Sequence, residues 1–260
     1  MSTLKVNGIR GVGASTDAIT VNNTDGTCTA SITNNLSNRN LIINGAMQIA
    51  QRGTSSTTAG FSTLDRWKTS VSGVSTATVT QSQQSTTSSD TPWDYGFRKY
   101  WRHSLDQAGS VAAGTYCFVK QDIEAQNVAN SGWDYESTSS YITLSFWVRA
   151  SSAMTYYGTV MTLDGTRNTY PFSFALSANT WTKVTKTIPG NTNCQVDNDN
   201  GQGFRVQFYQ FYGTDFTNNA TLNAWSSTDD FANTLPDMAS TWITAGASTY
   251  DITGVQIEVG

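Results

Sequence analysis

Several stretches of this chain alternate apolar and polar side chains with a period of two. Ile142, Leu144, Phe146 and Val148 are interleaved with Thr143, Ser145, Trp147 and Arg149. Tyr170, Phe172, Phe174 and Leu176 repeat the pattern, and Phe204, Val206 and Phe208 alternate with Arg205, Gln207 and Tyr209. Successive strand side chains point to opposite faces, so each run predicts a strand with one face in a core. Pro171 lacks a backbone donor, which predicts an edge strand or a strand start. In the last run Tyr250 and Ile252 share one parity and Val255, Ile257 and Val259 the other. The phase flips at Gly254, as a β-bulge would produce. Further strands are predicted at Leu41–Ile49, Arg66–Val71, Ala77–Gln83, Phe97–His103, Thr115–Ile123, Tyr156–Leu163 and Trp181–Ile188. Lys186 interrupts the alternation of the last of these and leaves its register open.

No segment carries a sustained apolar stripe of helical period; Ser227–Asn233 would open a short helical turn, capped by Ser227 or Thr228. About ten antiparallel strands without a long helix predict an all-β fold, a jelly-roll β-sandwich. This body is placed at residues 39–260. Residues 1–38 stand apart, since they contain no Trp, Tyr or Phe and cannot build a core of their own. Their short extended pieces, Thr3–Ile9, Ala18–Asn22 and Thr27–Thr33, are separated by Gly-rich turns such as Gly11–Gly13. Such a strip is either a tail or a segment that pairs with another copy of itself or a docking surface.

Composition narrows the class. Charged residues make up 13% of the chain and aromatics 12%. Low charge with many aromatics describes a chain that folds. The net charge is −4, and the densest basic patch (Arg98, Lys99, Arg102 and His103) is short, so no nucleic-acid partner is expected. No apolar run is long enough to predict a membrane span, and the N-terminus lacks an apolar secretory segment. Cys28, Cys117 and Cys194 have neither zinc spacing nor even number, and read as free thiols.

From residue 38 onward the chain resembles a family of tail-fibre and appendage proteins of marine and cyanobacterial phages. The resemblance is carried by Asn40–Arg52 (NLIINGAMQIAQR), Leu64–Trp67 (LDRW), Gln121–Glu124 (QDIE), Tyr141–Ala150 (YITLSFWVRA), Asn179–Gly190 (NTWTKVTKTIPG), Gly203–Phe208 (GFRVQF) and Ile252–Gly260 (ITGVQIEVG). The opening Met1–Asn7 looks like the attachment start of cyanophage fibre proteins. The segments containing LSFWVRAS and NTWTKVTKTIPG also resemble jelly-roll carbohydrate-binding modules. The resemblance implies a virion location, a homotrimeric appendage held to other virion proteins through residues 1–38, and contact with host cell-surface polysaccharide. It brings no catalytic motif.

The candidate chemistry is sparse. Trp93-Asp94-Tyr95 and Trp133-Asp134-Tyr135 repeat one tripeptide in two loops. Each would offer an aromatic face to a sugar ring and a carboxylate to its hydroxyls; equally, each Trp would cap the sandwich and each Asp bond a turn. No cofactor is expected, calcium being the one ion considered, through Asp65, Asp251 and Glu258 in or near strands of the resemblance. His103 is the single histidine and no nucleophile elbow is present, so a Ser-His-Asp system is not expected. Two carboxylates suffice for glycoside hydrolysis, and Asp122 and Glu124 share a strand face, which keeps a glycan-cleaving depolymerase fibre as the alternative to a non-enzymatic binder. A purely structural head or tail decoration is the remaining alternative.

Overall fold

The computed structural model describes residues 8–10, 12–13, 15, 17, 19–21, 24, 28–30, 40–218, 220–227 and 234–260. The chain folds as two units, Met1–Ser37 and Asn38–Gly260. In the first unit β1 (Gly8–Ile9), β2 (Ile19–Val21) and β3 (Cys28–Ala30) form a three-stranded antiparallel sheet in the order β1-β2-β3. Ile9 is 55% exposed. The remaining parts of the strands expected at 3–9, 18–22 and 27–33 lie outside the described residues.

The second unit is a jelly-roll β-sandwich. Its first sheet has the order β12-β9-β15-β7-β6-β4 and is built from β4 (Ser55–Ser56), β6 (Val79–Ser85), β7 (Lys99–Leu105), β9 (Tyr141–Ala150), β12 (Thr182–Pro189) and β15 (Ser248–Val259). Its second has the order β14-β11-β10-β13-β8-β5, from β5 (Lys68–Ser72), β8 (Tyr116–Glu124), β10 (Met154–Thr162), β11 (Asn168–Leu176), β13 (Gln202–Tyr212) and β14 (Ser226–Ser227). Short helices α1 (Thr91–Asp94), α2 (Ala125–Ala129) and α3 (Thr241–Thr244) sit in the connections.

The alternating residues do what their period requires. Ile142, Leu144, Phe146 and Val148 of β9 are fully buried against Phe172, Val206 and Phe208 of the opposite sheet, all within one continuous core. Phe146 and Phe208 meet with ring centroids 4.7 Å apart. Lys186 leaves the register of β12 intact: it pairs with Leu144 in an unbroken ladder. Pro171 lies where β11 pairs with β10 alone, since β14 reaches only Asn168 and Thr169. The register of β15 against β9 shifts between Thr253 and Gln256, and Gly254 there has φ +61°.

One expected strand is absent. Residues 41–49 do not extend, because Asn44 and Met47 occupy left-handed backbone at φ 56° and 57°. This segment forms a clasp on the last strand instead. The Leu41 N–H donates to the Ile257 carbonyl (2.9 Å), the Val255 N–H to the Gly45 carbonyl (3.0 Å), and the Gln121 side-chain amide bonds both the N–H and the carbonyl of Ile43 (2.8 Å each). A Cβ on Gly45 would stand 2.0 Å from the Val255 oxygen, so only glycine fits. The helical turn expected at Ser227–Asn233 falls on residues 228–233, outside the described residues; Ser227 itself ends β14.

Candidate functional site

Two outer faces could present chemistry. On the second sheet, pairing registers set up rows that run across the strands. One row is Ser70, Phe118, Tyr209, Tyr157 and Ser173; the next is Lys68, Lys120, Gln207 and Thr159; the third is Asp122, Arg205 and Met161. The aromatic half of this face is closed: Tyr209 and Tyr212 are buried beneath Phe216, Leu235 and Met238, which follow β13. Phe211, beyond a register shift, faces the core instead. The aromatic run at the end of β13 is thus packed and offers no open patch.

The charged half opens into a crevice of about 330 Å³, lined by Arg52, Phe61, Arg66, Asp122, Glu124, Asn200 and Gln202 among others. At its floor Asp122 receives Lys120 Nζ at 3.1 Å and Arg205 Nε at 2.5 Å, one cation on each carboxylate oxygen. Burial pushes the Lys120 ammonium below its ordinary pKa; Arg205 and Lys68 add repulsion and Asp122 opposes the shift. At the rim, Arg66 Nη2 lies 3.8 Å from Glu124 Oε1, while Gln126 donates to the other oxygen of Glu124 (2.9 Å). Arg66 adopts φ +71°, a conformation uncommon for residues other than glycine, at the turn before the buried Trp67. Phe61 is 42% exposed, and Lys68 Nζ stands 6.0 Å from its ring centre. Its backbone is held by the Gly60–Thr69 bridge, with Gly60 at φ +100°.

A second cavity of about 220 Å³ enters the sandwich beside Thr69, Val79, Gln81 and His103. The side chains of Thr69, Gln81 and His103 are engaged internally. The Gln81 amide accepts from the Thr63 and Thr69 hydroxyls and donates to the Thr58 carbonyl. His103 Nδ1 lies 3.1 Å from Gln210 Oε1 and 3.3 Å from Cys117 Sγ. Burial takes the imidazole pKa down to about 4 and pushes the Cys117 thiol well up. Cys117 and Cys194 are free and buried.

The two repeated tripeptides end in different environments, and among the described residues no hydrogen bond, ion pair or ring contact joins them. Trp93 and Asp94 lie in α1 and Tyr95 follows it. Trp93 is half-buried under the Arg98 guanidinium (3.8 Å), and Asp94 is exposed. Tyr95, 61% exposed, rests on Trp147 (5.0 Å) on the outer face of the first sheet, near Lys183. Asp134 is exposed and Tyr135 half-buried, its hydroxyl bonded to the Val196 carbonyl (3.2 Å). Trp133 corrects the expectation of a stacking platform. It is 3% exposed and packs against Phe204 (5.7 Å), so its ring belongs to the core.

The acids considered for calcium are not brought together. Asp251 is fully buried and grips two guanidiniums, Arg102 (2.7 and 2.9 Å) and Arg149 (2.8 and 3.0 Å). A carboxylate flanked by two cations has no oxygen to offer a third. Asp65 accepts the Gln51 N–H (3.2 Å), and Glu258 is exposed on β15. Among the described residues no cluster of three or more His, Cys, Asp or Glu could hold a metal ion. Beside Asp251, Asp90 ties the loop before α1 to Arg149 (2.9 Å) and the Trp181 indole (2.8 Å). Burial alone would raise its carboxyl, yet bonds from Thr87 and Trp181 together with Arg149 hold it below its ordinary pKa.

Sequence reasoning placed Asp122 and Glu124 on one face but did not find Arg52, Phe61, Arg66 or Arg205. Four segments named for their resemblance converge here: Asn40–Arg52 ends at Arg52, LDRW supplies Arg66, QDIE supplies both acids, and GFRVQF supplies Arg205.

No family model and no curated protein matches this chain. Among solved structures it is similar to the enzymatically active domain of tailspike protein 4 of bacteriophage CBA120, at 13% identity and a TM-score of 0.45, over 85% of this chain and 21% of that one. It thus spans about a fifth of that tailspike chain. It is also similar to the module TmCBM61 in complex with β-1,4-galactotriose (10% identity, 84% of this chain, 97% of that one, TM-score 0.39). A family 11 carbohydrate-binding module from Clostridium thermocellum, in complex with a mixed-linked tetrasaccharide, gives 11% identity, 79% and 95% coverage and a TM-score of 0.36.

Proposed function

We propose that this chain is a non-catalytic, glycan-binding subunit of a phage appendage, and that its sugar lies in the crevice around Phe61. The observation that carries the reading is an exposed aromatic ring beside planar polar side chains (Arg66, Glu124, Gln202 and Asn200) in one concavity of about 330 Å³. Sugar rings present apolar C–H faces and fans of hydroxyls, and a cleft offering a ring together with a few placed donors and acceptors suits both. Binding is favoured over cleavage because Asp122, one of the two acids on this face, is held in ion pairs with Lys120 and Arg205.

The virion location rests on the sequence resemblance over residues 39–260. The trimer and the anchoring role of residues 1–38 rest on that strip's lack of aromatic residues and on the resemblance, and the exposed Ile9 is in keeping with a surface that seeks a partner. A glycan array probed with the wild type, Phe61→Ala and Tyr95→Ala tests the site. Signals lost in Phe61→Ala and kept in Tyr95→Ala support the crevice; the reverse moves the site to the first sheet. Release of reducing ends from a bound polysaccharide would replace the reading with a depolymerase.

A further inference from the structure

We infer that the crevice selects an acidic glycan, one bearing uronate carboxylates or comparable anionic groups, over a neutral one. The inference rests on the crevice being a glycan site and deepens that reading. It follows from a charge imbalance that the fold builds into one place.

The chain as a whole is acidic, with a net charge of −4. Around the crevice the sign reverses. Lys120 and Arg205 share the single carboxylate of Asp122. Arg66 meets Glu124 only at 3.8 Å, and Glu124 is already engaged by Gln126. Arg52, exposed on the rim, and Lys68, beside the Phe61 ring, have no carboxylate within 4.0 Å among the described residues. In the lining itself Arg52 and Arg66 stand against Asp122 and Glu124; Lys68, Lys120 and Arg205 beside it bring the cations to five, against which Asp65 and Asp199 bring the acids to four. Asp65 and Asp199, the acids flanking Arg66 and Asn200 in sequence, each turn an oxygen to a backbone N–H, of Gln51 and of Gly201.

The excess is not diluted by water throughout. The side chains of Lys120, Asp122 and Arg205 are only 11–12% exposed, so charges there are screened far less than at an open surface. Arg205 and Lys68 both disfavour the charged form of Lys120, which places the three cations close enough to repel. An incoming carboxylate relieves that repulsion, while a neutral sugar leaves it standing. Arg52 and Arg66 supply flat guanidinium forks that match a carboxylate with paired donors. Phe61 takes the ring face in either case, so charge selects between sugars that the aromatic contact alone would accept.

The test titrates the wild-type protein with a panel of oligouronides of differing linkage and with their carboxyl-reduced counterparts, at low salt and at about 0.3 M salt. The expected result is at least one uronide binding about tenfold or more tighter than its reduced form, with the gap shrinking in salt. Arg52→Gln should weaken the uronide several-fold more than its reduced form, narrowing the gap between them, while Phe61→Ala should weaken both. Equal, salt-independent binding of both forms that Phe61→Ala abolishes would overturn the charge selection and leave the glycan site standing. Uronide binding that survives Phe61→Ala and is matched by inorganic polyphosphate would reduce the crevice to a general anion attractor and overturn the glycan reading. Absence of binding across the whole panel would overturn both.

Discussion

Acidification sets the single histidine against the core that encloses it. His103 lies between Trp101 (ring centroids 4.9 Å) and Trp242 (6.0 Å), with Gln210 and Cys117 at Nδ1. Among the described residues no carboxylate hydrogen-bonds it, and burial depresses its pKa from 6.5 to about 4. Between those values the folded chain holds a neutral imidazole and the unfolded chain a protonated one. The unfolded state then carries the extra proton, so stability falls as pH drops below about 6.5 and the loss is complete near pH 4. The full span is worth about 3 kcal/mol, of which about 2 kcal/mol is gone by roughly pH 5. Urea denaturation of the wild type and His103→Gln at matched pH isolates this contribution, since every carboxylate contributes equally to both proteins. Because the chain has one histidine, its imidazole proton resonance reports the folded pKa directly. A folded imidazole titrating near 6.5, or a wild-type stability profile parallel to that of His103→Gln, would refute the assignment of this residue as a desolvated neutral base.

Other outcomes follow from neighbouring parts of the fold. Asp251→Asn should cost about 3 kcal/mol in urea denaturation, because it strands Arg102 and Arg149 around a group that no longer neutralises them. Trp133→Ala should cost about 3–5 kcal/mol by emptying a core site, whereas Phe61→Ala should stay within about 0.5 kcal/mol of the wild type in the same experiment.

The sandwich was legible wherever burial on one face alone decided the sequence. Ile142–Val148 and Phe204–Phe208 had to alternate, and Gly254 had to mark the slip that follows. Leu41–Ile49 misled because Leu41, Ile42 and Met47 are buried by a clasp and not by a sheet; the Asn44-Gly45 pair was the available sign of a left-handed turn, and Met47 gave none. The tripeptides show why identical local sequence did not mean identical exposure. Trp133 meets Phe204 from another strand, while Trp93 meets Arg98, next to its own loop. Asp251 looked like an ion ligand because its two arginine partners, Arg102 and Arg149, are 149 and 102 residues away. The crevice was illegible for the same reason, since its charges come from positions 52 to 205 and meet only after β8, β13 and the loop before β5 pack together. The available clue was the outward parity of Lys120, Asp122 and Arg205 on strands whose other parity is apolar.

The position of β15 has a kinetic consequence. It lies between β9 and β7 in the middle of its sheet, yet it is the last strand of the sandwich to be synthesised, and the clasp at Leu41–Gly45 closes on it. Until those residues are available, the sheet is two fragments with no shared edge, and the clasp lacks its bonds to the last strand. Contacts spanning roughly two hundred residues bring a large loop-closure entropy, which makes for slow folding and for long exposure of one unpaired edge on each of β7 and β9. A growing chain of this design would wait, open along its centre, and complete its sheet in one late step.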